Sequence, residues 1–277
     1  MLRADWRSRL RRLAAAVLAL SVAGQAAANC ARPLYLTFDT GHMGVAPLVA
    51  DVLRRQNVRV TFFAANEATQ QGDGSLGDDW AGWWRERELE GHAFASHTYD
   101  HVVWTADVAP GRDGSARFRM RASAGPNVGQ TRLFTAAQYC EEIGRASRRL
   151  QEITGVPPLP LFRAPGGRTS PLLLSVARAC GYAHVGWSPA GFLGDELPSE
   201  RYSNADLLDK ALREIRSGQI LMAHLGIWSR KDPWAPTVLE PLIEGLKAKG
   251  FCFATLREHP DFTRWIASHK DDQPWNR

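Results

Sequence analysis

Seven short apolar runs, rich in β-branched and aromatic residues, recur along the chain at 34–38, 59–63, 92–96, 159–162, 183–187, 219–223 and 250–255. Helical periodicities separate most of them, at 45–56, 80–90, 135–154, 171–180, 205–217 and 236–249. Alternation of this kind calls for a parallel sheet, because each helix returns the chain to start the next strand in the same direction. The expected fold class is therefore α/β, either open and doubly wound or closed into a barrel, and periodicity does not separate the two. Roughly 250 residues beyond the N-terminal segment, in a chain 44% apolar, suffice for a single domain with a sizeable core.

One interval breaks the rhythm. Residues 102–134 carry Gly, Pro, Arg and Ser with little periodicity and read as a long loop covering the mouth of a site. Residues 263–277 read as a polar, peripheral C-terminal tail.

Residues 1–28 have the pattern of a secretory signal peptide: Arg3, Arg7, Arg9, Arg11 and Arg12, an apolar run at 13–24, and then Ala26-Ala27-Ala28. The run is shorter than the roughly 20 residues that cross a bilayer, and no other membrane span is visible. The expected location is periplasmic or secreted. Cleavage would remove five Arg and one Asp from a chain of formal charge +5, leaving 29 basic against 28 acidic residues, so a nucleic-acid partner loses its main support.

Four cysteines in an exported chain allow three pairings. Cys30 precedes the first strand and Cys252 lies in the last, neighbours in a closed barrel; Cys140 and Cys180 sit on consecutive helices. These two bridges are expected, the alternative being four buried thiols.

In parallel α/β folds, functional side chains gather at the carboxyl ends of strands. On that rule Asp39 follows the first strand, His97 and His101 the third, Arg163 the fourth, Ser188 and Asp195 the fifth, and His224 the sixth. His92, His184, His259 and His269 fall elsewhere and read as structural or surface residues. In SHTYDH the four-residue spacing puts His97 and His101 on one face of a helical turn, where two imidazoles can chelate a divalent ion, most readily zinc. Asp39 beside an ion-activated water is a general base. Arg163, aimed inward by the Pro165 and Gly167 turn, would hold Asp39 in place and lower its pKa. His224 ends an apolar strand and is suited to protonating a leaving amine. GDGSLG at 72–77 matches a dinucleotide fingerprint but is not continuous with its strand, and no GxSxG is present. Trp80, Trp83 and Trp84 read as packing, whereas Trp187 is placed to stack on a pyranose.

Laid out in order, TFDTG, SHTYDH, FRAPGG and LMAH resemble the four motifs of the NodB-homology polysaccharide deacetylases, carbohydrate esterase family four, over about residues 34–256. The resemblance implies a distorted (β/α) barrel of about seven parallel strands in one domain, 29–262. It implies a divalent-metal hydrolase that removes acetyl groups from sugars in a polysaccharide, peptidoglycan or glycolipid. The implied roles are Asp39 as base, Arg163 as its orienting residue, His224 as acid, and His97 and His101 as metal ligands, with Thr40 at the position of the family's third ligand, an Asp. That departure replaces an anion by a neutral hydroxyl and should weaken metal binding; His42 is the candidate replacement. The family's Asp that tunes the catalytic His has no aligned counterpart in GWSPAGFLGDE, where Asp195 is the nearby substitute. Two rival readings are a carbohydrate-binding pseudoenzyme with a decayed metal site, and an amide hydrolase acting on a small or lipid-linked substrate.

Overall fold

The computed structural model describes residues 30–269, so the signal-peptide segment and the end of the C-terminal tail lie outside the described residues. The apolar runs form β1 (Pro33–Asp39), β2 (Thr61–Ala64), β3 (Ala93–Ser96), β7 (Leu161–Phe162), β8 (Ala183–His184), β9 (Ile220–His224) and β10 (Cys252–Phe253). β1, β2 and β3 are buried almost throughout, because a parallel strand with helices outside and side chains within has no wet face. The helices are α1 (Ala46–Arg55), α2 (Asp78–Leu89), α3 (Ala136–Thr154), α4 (Pro171–Ala179), α5 (Asn204–Glu214), α6 (Leu239–Ala248) and α7 (Pro260–Ser268).

All seven of those strands are parallel, in the order β10-β1-β2-β3-β7-β8, with β9 also paired to β1. β1 divides its outer edge, pairing with β10 at Pro33 and Leu34 and with β9 from Tyr35 to Asp39. Between β8 and β9 the ring is bridged by irregular chain: Ser188 N donates to Ile220 O at 3.0 Å and Leu193 N to Met222 O at 3.2 Å. The result is a distorted (β/α) barrel.

Strand parity sorts the side chains. Leu34, Leu36, Phe38, Phe62 and Ala64 face outward into the large core shared with Val49, Val52 and Leu53 of α1 and Leu239, Leu242 and Leu246 of α6. Burial of each such side chain is worth about 1.5–3 kcal/mol. Tyr35, Phe63, Ala93, Ala95, Leu159, Leu161 and Val185 face inward and fill the barrel. Phe262, Trp265 and Ile266 of α7 close that inner core from below, and Trp265 Nε1 donates to Pro160 O at 2.9 Å. The expected peripheral tail thus begins inside a packed helix, since these three apolar residues recur at helical spacing.

The expected loop at 102–134 is corrected by the structure: it holds an antiparallel sheet of β4 (Val102–Val108), β5 (Arg117–Ala122) and β6 (Thr131–Thr135). β5 alternates Arg117, Phe118, Arg119, Met120, Arg121, Ala122; its apolar members are buried against Tyr139, Ile143 and Phe162 while Arg119 and Arg121 are exposed. Period-two alternation of arginine with apolar residues is what a half-buried strand requires.

Both anticipated disulfides are present, Cys30–Cys252 with Cα atoms 6.1 Å apart and Cys140–Cys180 at 5.9 Å. Trp84 is fully buried and donates its Nε1–H to Ser75 O at 2.7 Å, in keeping with a packing role.

Candidate active site

The inward parity runs on past the strand ends. Tyr35 and Thr37 lead to Asp39, Ala93 and Ala95 to His97, Leu159 and Leu161 to Arg163, and Ile220 and Met222 to His224. Four chemically capable side chains therefore meet over the barrel's upper rim, and pairing of β1 with β9 sets Asp39 directly across from His224.

Asp39 Oδ1 accepts from Arg163 Nη1 at 2.6 Å, and Asp39 Oδ2 stands 3.5 Å from His97 Nε2. Arg163 is fully buried; it also donates to Val185 O and Gly186 O, each at 3.2 Å, and lies 4.1 Å from the centre of the Phe63 ring. Burial pushes the Asp39 carboxyl up, but Arg163, His97 and His224 outweigh it and hold the pKa below its ordinary value. Past Arg163 the chain turns through Gly166 and Gly167, both at φ 64°; a Cβ on Gly167 would come 2.6 Å from the Trp187 ring, which packs over it.

The His pair is brought together differently from the expectation. Residues 97–101 form a turn, with Thr98 at φ 59° and His101 at φ 46°, and no helix. Thr98 N donates to Ser96 Oγ and Thr98 Oγ1 accepts from Val102 N, while Glu142 of α3 takes the N–H groups of Tyr99 and Asp100, competing with helical bonds. The rings still end 4.8 Å apart, edge to face.

Hydrogen bonds define both tautomers. His97 Nδ1–H donates to Arg163 O at 2.9 Å, and burial pushes this imidazole down to about 4, so at neutral pH Nε2 carries a lone pair. Ser123, just beyond β5, gives its one hydroxyl proton to His101 O, so its oxygen accepts from His101 Nδ1. His101 Nε2 is then also a lone pair. Two imidazoles with Nδ1 tied back and Nε2 open is the arrangement that suits a divalent ion. Asp39 Oδ2 and His97 Nε2, two buried acceptors 3.5 Å apart, are likewise a pairing that a cation relieves.

The third donor is where the fit is incomplete. Thr40 is fully buried; its Oγ1 accepts from Ala65 N at 3.1 Å and donates to Glu67 Oε2 at 2.6 Å, so the hydroxyl is already committed. His42 is engaged in its own loop: Nδ1 accepts from Gly44 N at 2.9 Å and the ring lies 4.8 Å from Trp228. Among the described residues, no group of three or more His, Cys, Asp or Glu side chains is placed to hold a metal ion.

His224 is held by Asp195. Nδ1 lies 3.1 and 3.2 Å from the two carboxylate oxygens, and Asp195 Oδ2 also accepts the His224 backbone N–H at 2.7 Å. Burial lowers the imidazole pKa, but Asp195, with Asp39 and Glu196 behind it, raises it to about 9. His224, Asp195, His42, Gly226 and Trp234 line a cleft of about 310 Å³. A larger cavity of about 750 Å³, between α4 and α7, contains none of the rim residues.

Sequence reasoning missed two residues here. Glu67 follows β2, the one early strand whose carboxyl end was not searched, and the strand-end rule would have found it. Ser123 had no local signal, because its partner is reached only through the antiparallel sheet. His92 and His259 accept backbone N–H groups from Val60 and Asp261, away from the rim.

Residues 26–185 match the sequence profile described as polysaccharide deacetylase. That is more than half of the chain, and the protein belongs to the polysaccharide deacetylase family, an enzyme family whose members are generally metal-dependent. It is 28% identical over 249 residues to the chitooligosaccharide deacetylase of Azorhizobium caulinodans, covering 86% of this chain and 100% of that one. To the peptidoglycan-N-acetylmuramic acid deacetylase of Bacillus subtilis it is 25% identical, covering 81% of this chain and 70% of that one. Its fold is that of a family 4 acetyl xylan esterase from Clostridium thermocellum solved with a cobalt ion, at a TM-score of 0.61 and 22% identity, covering 84% and 91% of the two chains.

Proposed function

We propose that this protein removes the acetyl group from N-acetylated sugars of a polysaccharide, peptidoglycan or glycolipid, using a divalent ion, zinc first, held in part by His97 and His101. The reading is carried by one observation: an arginine-held carboxylate and a carboxylate-held histidine face each other across β1 and β9, beside two imidazoles with open Nε2 atoms. Acetamide hydrolysis needs such a set, because a proton must leave the attacking water on one side and reach the departing amine on the other.

Asp39 takes the proton from the attacking water, and Arg163 keeps that carboxylate ionised and aimed. When bound, the ion lowers the pKa of water toward about 7 and polarises the acetyl carbonyl. His224, charged at neutral pH through Asp195, delivers a proton to the sugar nitrogen as the C–N bond breaks, so the amine leaves neutral and acetate remains. Trp187 and the exposed Trp228 offer apolar faces for sugar rings near this rim. Export to a periplasmic or extracellular space is supported by the N-terminal segment and by the two disulfides. No helix among the described residues is long and apolar enough to cross a membrane.

Acetate release from N-acetylglucosamine oligomers, with zinc supplied, tests the reading. Wild type should turn over, and Asp39→Asn and His97→Ala should each lose at least about 100-fold, the range that general-base loss commonly covers. Sugar binding with no acetate released on any acylated glycan would replace it by the carbohydrate-binding alternative.

A further inference from the structure

If a divalent ion binds here, as the proposed function requires, its anionic ligand has to come from somewhere other than position 40. The structure assigns that part to Glu67: we infer that its carboxylate completes the shell begun by His97 and His101, and that Thr40 is the positioning residue that holds it there.

Three observations converge on this carboxylate. Glu67 lies within electrostatic reach of His101, His97 and His224, so the group that the Thr40 hydroxyl holds faces the same rim as the His pair. Glu67 Oε2 stands 2.6 Å from that hydroxyl. The hydroxyl has one proton; with Ala65 N donating to its oxygen, that proton goes to the carboxylate. Thr40 therefore acts as a donor toward an anion. Glu67 Oε1 accepts nothing among the described residues, which leaves it available to a cation.

The backbone of Glu67 is pinned as a ligand's backbone should be. Glu67 N donates to Ser75 Oγ at 3.0 Å, Ser75 N donates to Glu67 O at 2.8 Å, and the Ser75 hydroxyl donates to Ala65 O at 2.5 Å. These bonds tie the segment after β2 to the returning chain at Ser75, so the side chain projects from a fixed point. Among the described residues the other acidic side chains around this rim are already engaged: Asp39 by Arg163, Asp195 by His224, and Asp100 and Glu142 by Arg145. The three donors are not gathered into a metal-holding group as they stand among the described residues, so a bound ion would have to draw them together. Two imidazoles and a carboxylate are a common zinc donor set, and a hydroxyl in place of the carboxylate is not. The exchange thus explains how position 40 tolerates a threonine: the negative charge has moved from β1 to the loop after β2, and the threonine has become its holder.

The test is direct titration of the metal-free full chain with zinc alone, by calorimetry or chelator competition, with the visible absorption of the cobalt-loaded chain as a second readout. Glu67→Gln should weaken zinc by more than about 100-fold, beyond the 10–100-fold that loss of an outer partner costs, whereas Thr40→Val should fall within that outer range. Thr40→Asp combined with Glu67→Gln should restore affinity, which a merely structural role for Glu67 would not produce. Circular dichroism and thermal melting establish that each variant is folded. If Glu67→Gln binds zinc as tightly as wild type while His97→Ala does not, the metal site stands and this inference falls. If folded wild type binds neither zinc nor cobalt, the inference falls together with the metal-dependent reading it rests on.

Discussion

Replacing Asp195 by Asn isolates the proton on His224. The imidazole sits at about 9 against an ordinary 6.5. Two and a half units at 1.36 kcal/mol each amount to roughly 3 kcal/mol of net preference for the charged form, after burial has already worked against it. Asp195 is the largest favourable contributor, ahead of Asp39 and Glu196. Asparagine keeps an oxygen for the His224 backbone N–H but removes the charge, so the imidazole should return to about 7. The alkaline limb of kcat/KM, measured on a chitooligosaccharide with zinc saturating, should then move down by about two units; the variant should lose about tenfold at pH 8 and less than twofold at pH 6. Stability should follow the same proton. A group whose pKa is raised on folding stabilises fully below its unfolded value, near 6.5, and loses that contribution as pH climbs through about 9. Urea unfolding at pH 6 and pH 9.5 should therefore show wild type losing roughly 2–3 kcal/mol from this group and Asp195→Asn losing less than about 1 kcal/mol. Imidazole NMR of the metal-free chain reads the midpoint without any turnover. If both the kinetic limb and the NMR midpoint of the variant stay within half a unit of wild type, Asp195 does not hold the charge and the assignment of His224 as acid loses its physical basis.

Arg163→Met leaves Asp39 buried without its counter-ion, which should cost about 3–5 kcal/mol in urea unfolding at pH 7; an unchanged midpoint would show that the ion pair contributes nothing to the fold. Ser123→Ala frees His101 Nδ1, so the tautomer with an open Nε2 is no longer enforced. Zinc affinity should fall about 10–100-fold with the melting temperature little changed, and unaltered affinity would mean that the antiparallel sheet plays no part in the metal site.

Much of the rim was legible because strand parity is local. Asp39, His97, Arg163 and His224 each lie an even number of residues beyond an inward-facing position, and each follows an apolar run that the eye can find. The four-residue spacing of the His pair suggested a helical turn, but Thr98 and His101 stand at positive φ and the His101 N–H bonds to Thr98 O and not to His97 O. The antiparallel sheet at 102–134 was missed although β5 alternates cleanly, because its arginines and glycine-bounded ends looked like loop composition. The interval reaches the rim at one residue, Ser123, which hydrogen-bonds to His101.

Sequence alone determined the alternation of strand and helix and the strand ends at which chemistry collects, since hydrophobic period and parity are carried by neighbouring residues; closure into a barrel was implied only by the family resemblance. Tertiary structure decided who completes each charged pair. Thr40 and Glu67 are 27 residues apart and His224 and Asp195 are 29 apart. Thr40 and Glu67 meet because β1 and β2 are adjacent parallel strands, and Asp195 meets His224 because the irregular chain after β8 lies along β9. A threonine where an acid was expected looks like a loss when read along the chain; across β1 and β2 it is one end of a hydrogen bond to the acid.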